Sequence, residues 1–228
     1  MTTWVLVHSP LVGPMTWEPV AAELRRQGEH VAVPDVGAAE APAEPFWRYH
    51  AATVAAALGS IPPGARVLLA GHSGAGPLLP AIAAALGRPV AGYLFVDAGL
   101  PADGGRPGAG AFADHLRQVH AAGRRFPDWT EADLRDVVPD PDVRRRLVAA
   151  LRPRPPAYWD QAVPVPPGWP DAPCAYLRFA PNPAYDAAAA EARARGWPCR
   201  ELAGGHFHPL VAPAAVAGVL GDLALGLA

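Results

Sequence analysis

The chain contains no lysine, so all nineteen of its basic residues are arginine, and Asn182 is its single asparagine. Lysine chemistry is thereby excluded, since a guanidinium stays protonated and serves neither as a Schiff-base amine nor as a general base. An excess of one charge is also missing. Nineteen basic against 21 acidic residues leave a formal net charge of −2, which is no footprint for nucleic acid or an anionic membrane surface. Cys174 and Cys199 are too few for a disulfide framework and lack zinc-ligand spacing. Each stands at the start of an expected strand, so parallel pairing of those strands would bring two free thiols near each other in a reducing compartment. No apolar run is long and unbroken enough to span a bilayer. The opening MTTWVLVHSP enters a β-like run without a basic n-region or a small-residue cleavage site. A cytoplasmic protein that meets small neutral molecules or protein partners is expected, and its oligomeric state is not readable. No His-x-x-x-His, paired-carboxylate or phosphate-cradling glycine motif occurs, so no metal or cofactor is expected.

Alanine, proline (29 residues) and glycine (23) are plentiful instead, a pattern of GC-rich bacterial coding, and 51% of 228 residues are hydrophobic. That suffices for a sizeable core, and no linker or internal repeat divides the chain. Short β-rich runs at Trp4–His8, Val31–Val36, Val67–Ala70, Ala91–Asp97, Ala175–Phe179 and Arg200–Leu202 alternate with helical patterns at Trp17–Gln27, Trp47–Leu58, Pro77–Leu86 and Asp186–Arg195. The first four strands are nearly continuous apolar runs, as strands buried on both faces are. The expectation is an α/β fold with a mostly parallel sheet of about six strands, helices on both faces and right-handed crossovers.

Residues 101–173 break that rhythm. They open with the glycine- and proline-rich PADGGRPGAG, carry helical patterns at Phe112–Ala122, Glu131–Val138 and Asp142–Leu151, and close on a proline-rich run. An insertion there reads as a cap over the carboxyl ends of the strands, with residues 1–100 and 174–228 as the core. Its aromatics Trp129, Tyr158 and Trp159 either line a pocket or form the cap's own core.

The chemistry concentrates at LLAGHSGAGP, Leu68–Pro77, where a strand runs into Gly71-His72-Ser73-Gly74-Ala75 and then a helix. A Gly-x-Ser-x-Gly elbow needs small residues two places either side of its serine, because the strained turn pushes the hydroxyl to the sheet's top edge. Gly71 meets this, and Ala75 is the smallest departure from glycine. Ser73 is thus either a nucleophile or the cap of an ordinary strand-to-helix turn. Behind the last expected strand, ELAGGHFHPL places His206 directly after two glycines and His208 two residues on. His206 is the preferred general base by its position in the loop. His8 and His72 read as structural.

Taken together, the VLVHSPLVGPMTW start, PDV, GHSGAG, VAGYLFVDAGLP and GGHFHPL resemble the α/β-hydrolase family over essentially the whole chain. The likeness is to the serine-nucleophile branch that holds small methyl-ester esterases and hydroxynitrile lyases. It implies a triad in which Ser73 attacks, His206 shuttles the proton and an aspartate orients it. Asp97, at the end of LFVDAGLP, stands where some relatives carry the acid. Asp186 follows the more usual position, which Asn182 occupies, and is the alternative.

The oxyanion hole departs from the family. Relatives use the backbone N–H after the nucleophile, here Gly74, and one in the loop after the first strand, which falls on Pro10 and has no N–H. Leu11 N–H or the Ser9 hydroxyl is left as the second donor. With no lysine, cyanohydrin lyase chemistry is discounted, and a serine elbow argues against dehalogenase or epoxide hydrolase chemistry. The leading reading is a hydrolase of a small, mostly apolar ester, thioester or lactone. Pro10 keeps open a cyclase, lyase or isomerase of a biosynthetic pathway, and the fold alone keeps open a non-catalytic binding protein.

Overall fold

The computed structural model describes residues 2–37, 45–59, 61–62, 64–110 and 112–227. Six parallel strands, β1 (Thr2–Val7), β2 (His30–Ala32), β3 (Arg66–His72), β4 (Gly92–Val96), β5 (Cys174–Ala180) and β6 (Cys199–Ala203), lie in the order β2-β1-β3-β4-β5-β6. Period-two alternation explains the continuous apolar runs. Trp4, Leu6, Leu68, Ala70, Leu94, Val96, Leu177 and Phe179 pack one face against α1 (Glu18–Arg26) and the carboxy-terminal helix 213–225, whereas Val5, Val7, Val67, Leu69, Tyr93, Phe95 and Tyr176 pack the other. The second face is covered by α2 (Phe46–Ala57), α3 (Leu79–Leu86) and the helix 186–194.

Most expected elements are present, with three differences. The second strand pairs only over His30–Ala32, because Pro34 has no N–H to give an edge ladder. Residues 131–137 form turns rather than a helix: the Asp133 carboxylate accepts from the Thr130 N–H and hydroxyl, and the backbone mixes three- and four-residue bonds before Pro139. The elbow leads first into a 3-10 turn, Ser73–Leu78, and only then into α3. Cys174 and Cys199 do open neighbouring parallel strands, with Tyr176 opposite Cys199, and both thiols are free.

Between β4 and β5 the chain builds α4 (Phe112–Ala121), α5 (Pro141–Ala149) and the single turn α6 (Pro156–Trp159). Beyond β5 come α7 (Asp186–Ala194), α8 (His208–Val211) and α9 (Pro213–Leu225). Leu116, Val119, Phe126, Tyr158 and Trp159 form one apolar cluster with Phe46 of the core, and Trp129 packs between it and a second around Leu134, Leu147 and Phe207. Among the described residues no helix is long and apolar enough to cross a membrane.

The sheet order reverses between β1 and β3, and open α/β sheets bind ligands in the crevice outside the carboxyl ends of the strands at such a point. The loops that leave β1 and β3 there carry Ser9–Leu11 and Ser73. A 190 Å³ hollow lined by Thr2, Arg66 and Ala91 sits at the opposite end of the same strands.

Candidate active site

Ser73 leaves β3 with φ of 59°, a left-handed conformation that non-glycine residues adopt at a cost of about 1–3 kcal/mol. The surrounding packing holds it there. Ala75 is fully buried, and a Cβ on Gly76 would lie 2.2 Å from the carbonyl oxygen of Gly99, so the second tight position of GHSGAG is Gly76 as well as Ala75. Among the described residues the Ser73 hydroxyl accepts from no helix N–H; it lies 2.9 Å from Nε2 of His206 and 3.0 Å from the Tyr185 hydroxyl.

His206 follows β6 behind Gly204 and Gly205, and its Nδ1 stands 2.7 Å from Oδ2 of Asp97. Asp97 ends β4, is wholly buried and also has a positive φ, 42°. Its Oδ1 accepts the Phe179 N–H and its Oδ2 accepts from the Asn182 amide as well as from His206. These bonds fix the tautomer. With Nδ1–H on the carboxylate, Nε2 presents a lone pair to the Ser73 O–H, the arrangement a general base requires. The 3.4 Å approach of the Asn182 amide nitrogen to His206 Nδ1 is then two donors side by side on one oxygen.

Asp186 lies elsewhere. It opens α7 half-exposed and pairs with Arg178, which also binds Glu201. His208, the other histidine of the tail, packs against Phe179. His72 lies under the imidazole, stacked at 4.6 Å with its Nε2–H donated to the His206 carbonyl; burial holds its pKa well below the ordinary value, so it is neutral. Tyr185 stacks on His206, 5.1 Å between centroids and 14° between planes. Burial pushes its phenol up to about 12.

On the opposite side, the Ser9 hydroxyl accepts the Leu11 N–H at 3.3 Å and stands 3.1 Å from where a Cβ on Gly74 would be. The loop is held from both ends. His8 donates from Nδ1 to the Ser9 carbonyl at 2.8 Å and accepts the Val36 N–H on Nε2 at 3.1 Å. Arg154, fully buried, donates from Nε at 3.0 Å and from Nη2 to the Pro10 carbonyl, and Arg152 N–H reaches the Leu11 carbonyl at 2.9 Å. Arg152 also forks onto Asp35, holding that carboxyl well below the usual range.

Tyr158 and Trp159 are buried in the apolar cluster with Phe46, Leu116 and Phe126, while Trp129 packs edge-on to Phe207 next to His206. Tyr185, Arg152 and Arg154 join the site without being sequence candidates for it, and Asn182, at the usual acid position, donates to Asp97. The spacing of PNPAYD, with its tyrosine three residues past the usual acid position, was the available sign of Tyr185; nothing local marks RPR as a clamp on residue 10. Among the described residues no group of three or more His, Cys, Asp or Glu side chains is arranged to hold a metal ion.

The profile of the alpha/beta hydrolase family matches residues 4–219. The chain belongs to that family. No curated protein matches it in sequence. Among solved structures, an extracellular alpha/beta-hydrolase from a Paenibacillus species, described as sharing structural and functional homology with tobacco salicylic acid binding protein 2, superposes with a TM-score of 0.79 at 19% identity over 98% of this chain and 99% of that one. A methylesterase from Arabidopsis gives 0.72 at 18% over 100% of both chains. Tomato methylketone synthase I, in complex with β-ketoheptanoate, gives 0.74 at 15% over 100% of this chain and 99% of its own. At such identities the likeness concerns the fold, and the fold's neighbours are esterase-like.

Proposed function

We propose that this alpha/beta hydrolase is a serine esterase acting on a small, mostly apolar ester, thioester or lactone through Ser73, His206 and Asp97. One observation carries the reading: the continuous hydrogen-bonded line from the Ser73 hydroxyl to Nε2 of His206 at 2.9 Å and from Nδ1 to Asp97 at 2.7 Å. His206 takes the Ser73 proton as Oγ attacks the carbonyl, Asp97 stabilises the imidazolium, and the proton passes to the departing oxygen. Residues 101–173 act as the cap, with Trp129 on the pocket side and Tyr158 and Trp159 in the cap's core.

Pro10 is accommodated by a change of donor. Because Leu11 N–H is given to Ser9 Oγ, the hydroxyl hydrogen is free to point away from Leu11, beside Gly74. Gly74 N–H and Ser9 O–H then form the oxyanion hole. The test is intact-mass detection of a fluorophosphonate adduct. Wild type is expected to gain one adduct, and Ser73→Ala and His206→Ala none; an unlabelled wild type would refute the reading.

Pro10 also favours a second reading, in which the same triad serves a non-hydrolytic cyclisation, elimination or rearrangement. Product analysis on candidate esters separates the two, since hydrolysis must release an acid and an alcohol. A labelled Ser73 excludes a non-catalytic binding protein.

A further inference from the structure

Tyr185 touches both working groups of the proposed triad and has no part in the mechanism above. It lies in the 3-10 turn Pro183–Tyr185 between β5 and α7. Its ring covers one face of the His206 imidazole at 14° while its hydroxyl stands 3.0 Å from Ser73 Oγ. Proton counting assigns the direction of that contact. His206 Nδ1–H is committed to Asp97 and the Ser73 proton to His206 Nε2, so the tyrosine must donate and Ser73 Oγ accept.

Such a donor is committed only while Oγ is a good acceptor. Once Oγ has bonded to the substrate carbonyl it becomes an ether-like oxygen, a poor acceptor, and the phenol needs another partner. The ring is stacked on the imidazole whose Nε2 serves Ser73, so the hydroxyl approaches Oγ from the His206 side. That is the side on which His206 returns its proton, and therefore the side of the leaving group.

We propose that Tyr185 is a further catalytic residue, an O–H donor that passes from Ser73 Oγ to the leaving-group oxygen as the tetrahedral intermediate collapses, and so suits the enzyme to esters with poorly acidic alcohols. The inference rests on the serine-esterase reading. In the step, the bond from the carbonyl carbon to the leaving oxygen breaks, its electron pair goes to that oxygen, and Nε2–H of His206 delivers the proton. Tyr185 keeps its own proton and supplies a hydrogen bond. Burial of the phenol keeps it neutral across the working pH range.

The experiment compares kcat/KM, which reports the acylation step, for ethyl butyrate and 4-nitrophenyl butyrate with wild type and Tyr185→Phe, a change that keeps the ring stacked on His206. The alkyl ester should lose about 10- to 30-fold, as for a hydrogen bond to developing charge. The nitrophenyl ester, whose leaving group needs no such help, should change less than about 3-fold. Equal losses on both esters would show that Tyr185 merely orients His206, and a gain on both would show that it covers Ser73; either overturns the inference. Fluorophosphonate labelling of Ser73 distinguishes the two failures. With labelling intact in wild type, equal effects on the esters refute the Tyr185 role alone. Absence of labelling, or no turnover of either ester by wild type, refutes the serine-esterase reading and this inference with it.

Discussion

The two sides of Ser73 are built by different means. On the His206 side, Asp97, Asn182 with Tyr185, and His206 leave the carboxyl ends of β4, β5 and β6, consecutive neighbours in the sheet. Sheet register alone brings them together. On the Ser9 side, a single loop after β1 is fixed by the adjacent His8 and by side chains far away in sequence, Arg154 reaching across 144 residues to the Pro10 carbonyl. The first arrangement follows from topology, and the second depends on the folded residues 101–173. Proton transfer and oxyanion binding should therefore fail separately.

The sharpest way to break the comparison is at the acid. Asp97→Asn should lower kcat by about four orders of magnitude, because the amide cannot hold the base tautomer or stabilise the imidazolium. Asn182 supports a stronger statement. It stands where relatives usually place their acid and already donates to Asp97 Oδ2, so exchanging the two residues returns a carboxylate to His206 from the other strand. The double variant Asp97→Asn, Asn182→Asp is expected to recover at least about tenfold over the single one, whereas Asp186→Asn, which only loosens an exposed ion pair with Arg178, should stay within about twofold of wild type. Steady-state rates on one ester decide all three.

Next in size is the oxyanion side. Removal of one oxyanion donor costs about two to three orders of magnitude in kcat, so Ser9→Ala should fall in that range while Ser9→Thr keeps most activity. If Ser9→Ala is near wild type, the donor is elsewhere and the second reading of Pro10 gains. Arg154→Met acts on the same loop from a distance. It strips a buried carbonyl of a charged donor and should cost about 2–3 kcal/mol in urea unfolding. Activity should fall with it even after stability is restored by osmolyte, and phosphonate labelling should survive. Loss of labelling instead would show that the clamp also holds the elbow.

This asymmetry explains what could be read from sequence. The six strands and their parallel pairing follow from alternation, and the likeness of GHSGAG and GGHFHPL to the family points to the roles proposed for Ser73 and His206. The sequence prefers Asp97 and keeps Asp186 as the alternative, because both are aspartates near a strand end; what separates them is spatial, since Asp97 is fully enclosed against His206 and Asp186 faces solvent beside Arg178. Arg154 was invisible for a different reason. A proline-flanked arginine in an insertion looks like solvated charge, and its burial is a property of two distant segments meeting.

The smallest effect concerns pH and again sets the two sides apart. His50, on the Ser9 side, is fully buried with Nδ1–H on the Val36 carbonyl, and burial lowers its pKa to about 4. The unfolded chain protonates such a histidine near 6.5. The folded state resists the proton, so the stability this group contributes is complete above about pH 6.5 and is lost as pH falls from there towards 4. Between pH 7 and 5 the loss amounts to about 2 kcal/mol from His50, with His72, displaced in the same direction, adding to the slope. In His50→Asn, which keeps a donor for Val36, the same pH change should cost correspondingly less, whatever the variant's absolute stability. An unchanged slope would mean that His50 finds a proton acceptor in the folded protein and that the acid sensitivity belongs to His72, stacked beneath His206. Urea midpoints at the two pH values, at matched ionic strength, measure the difference directly.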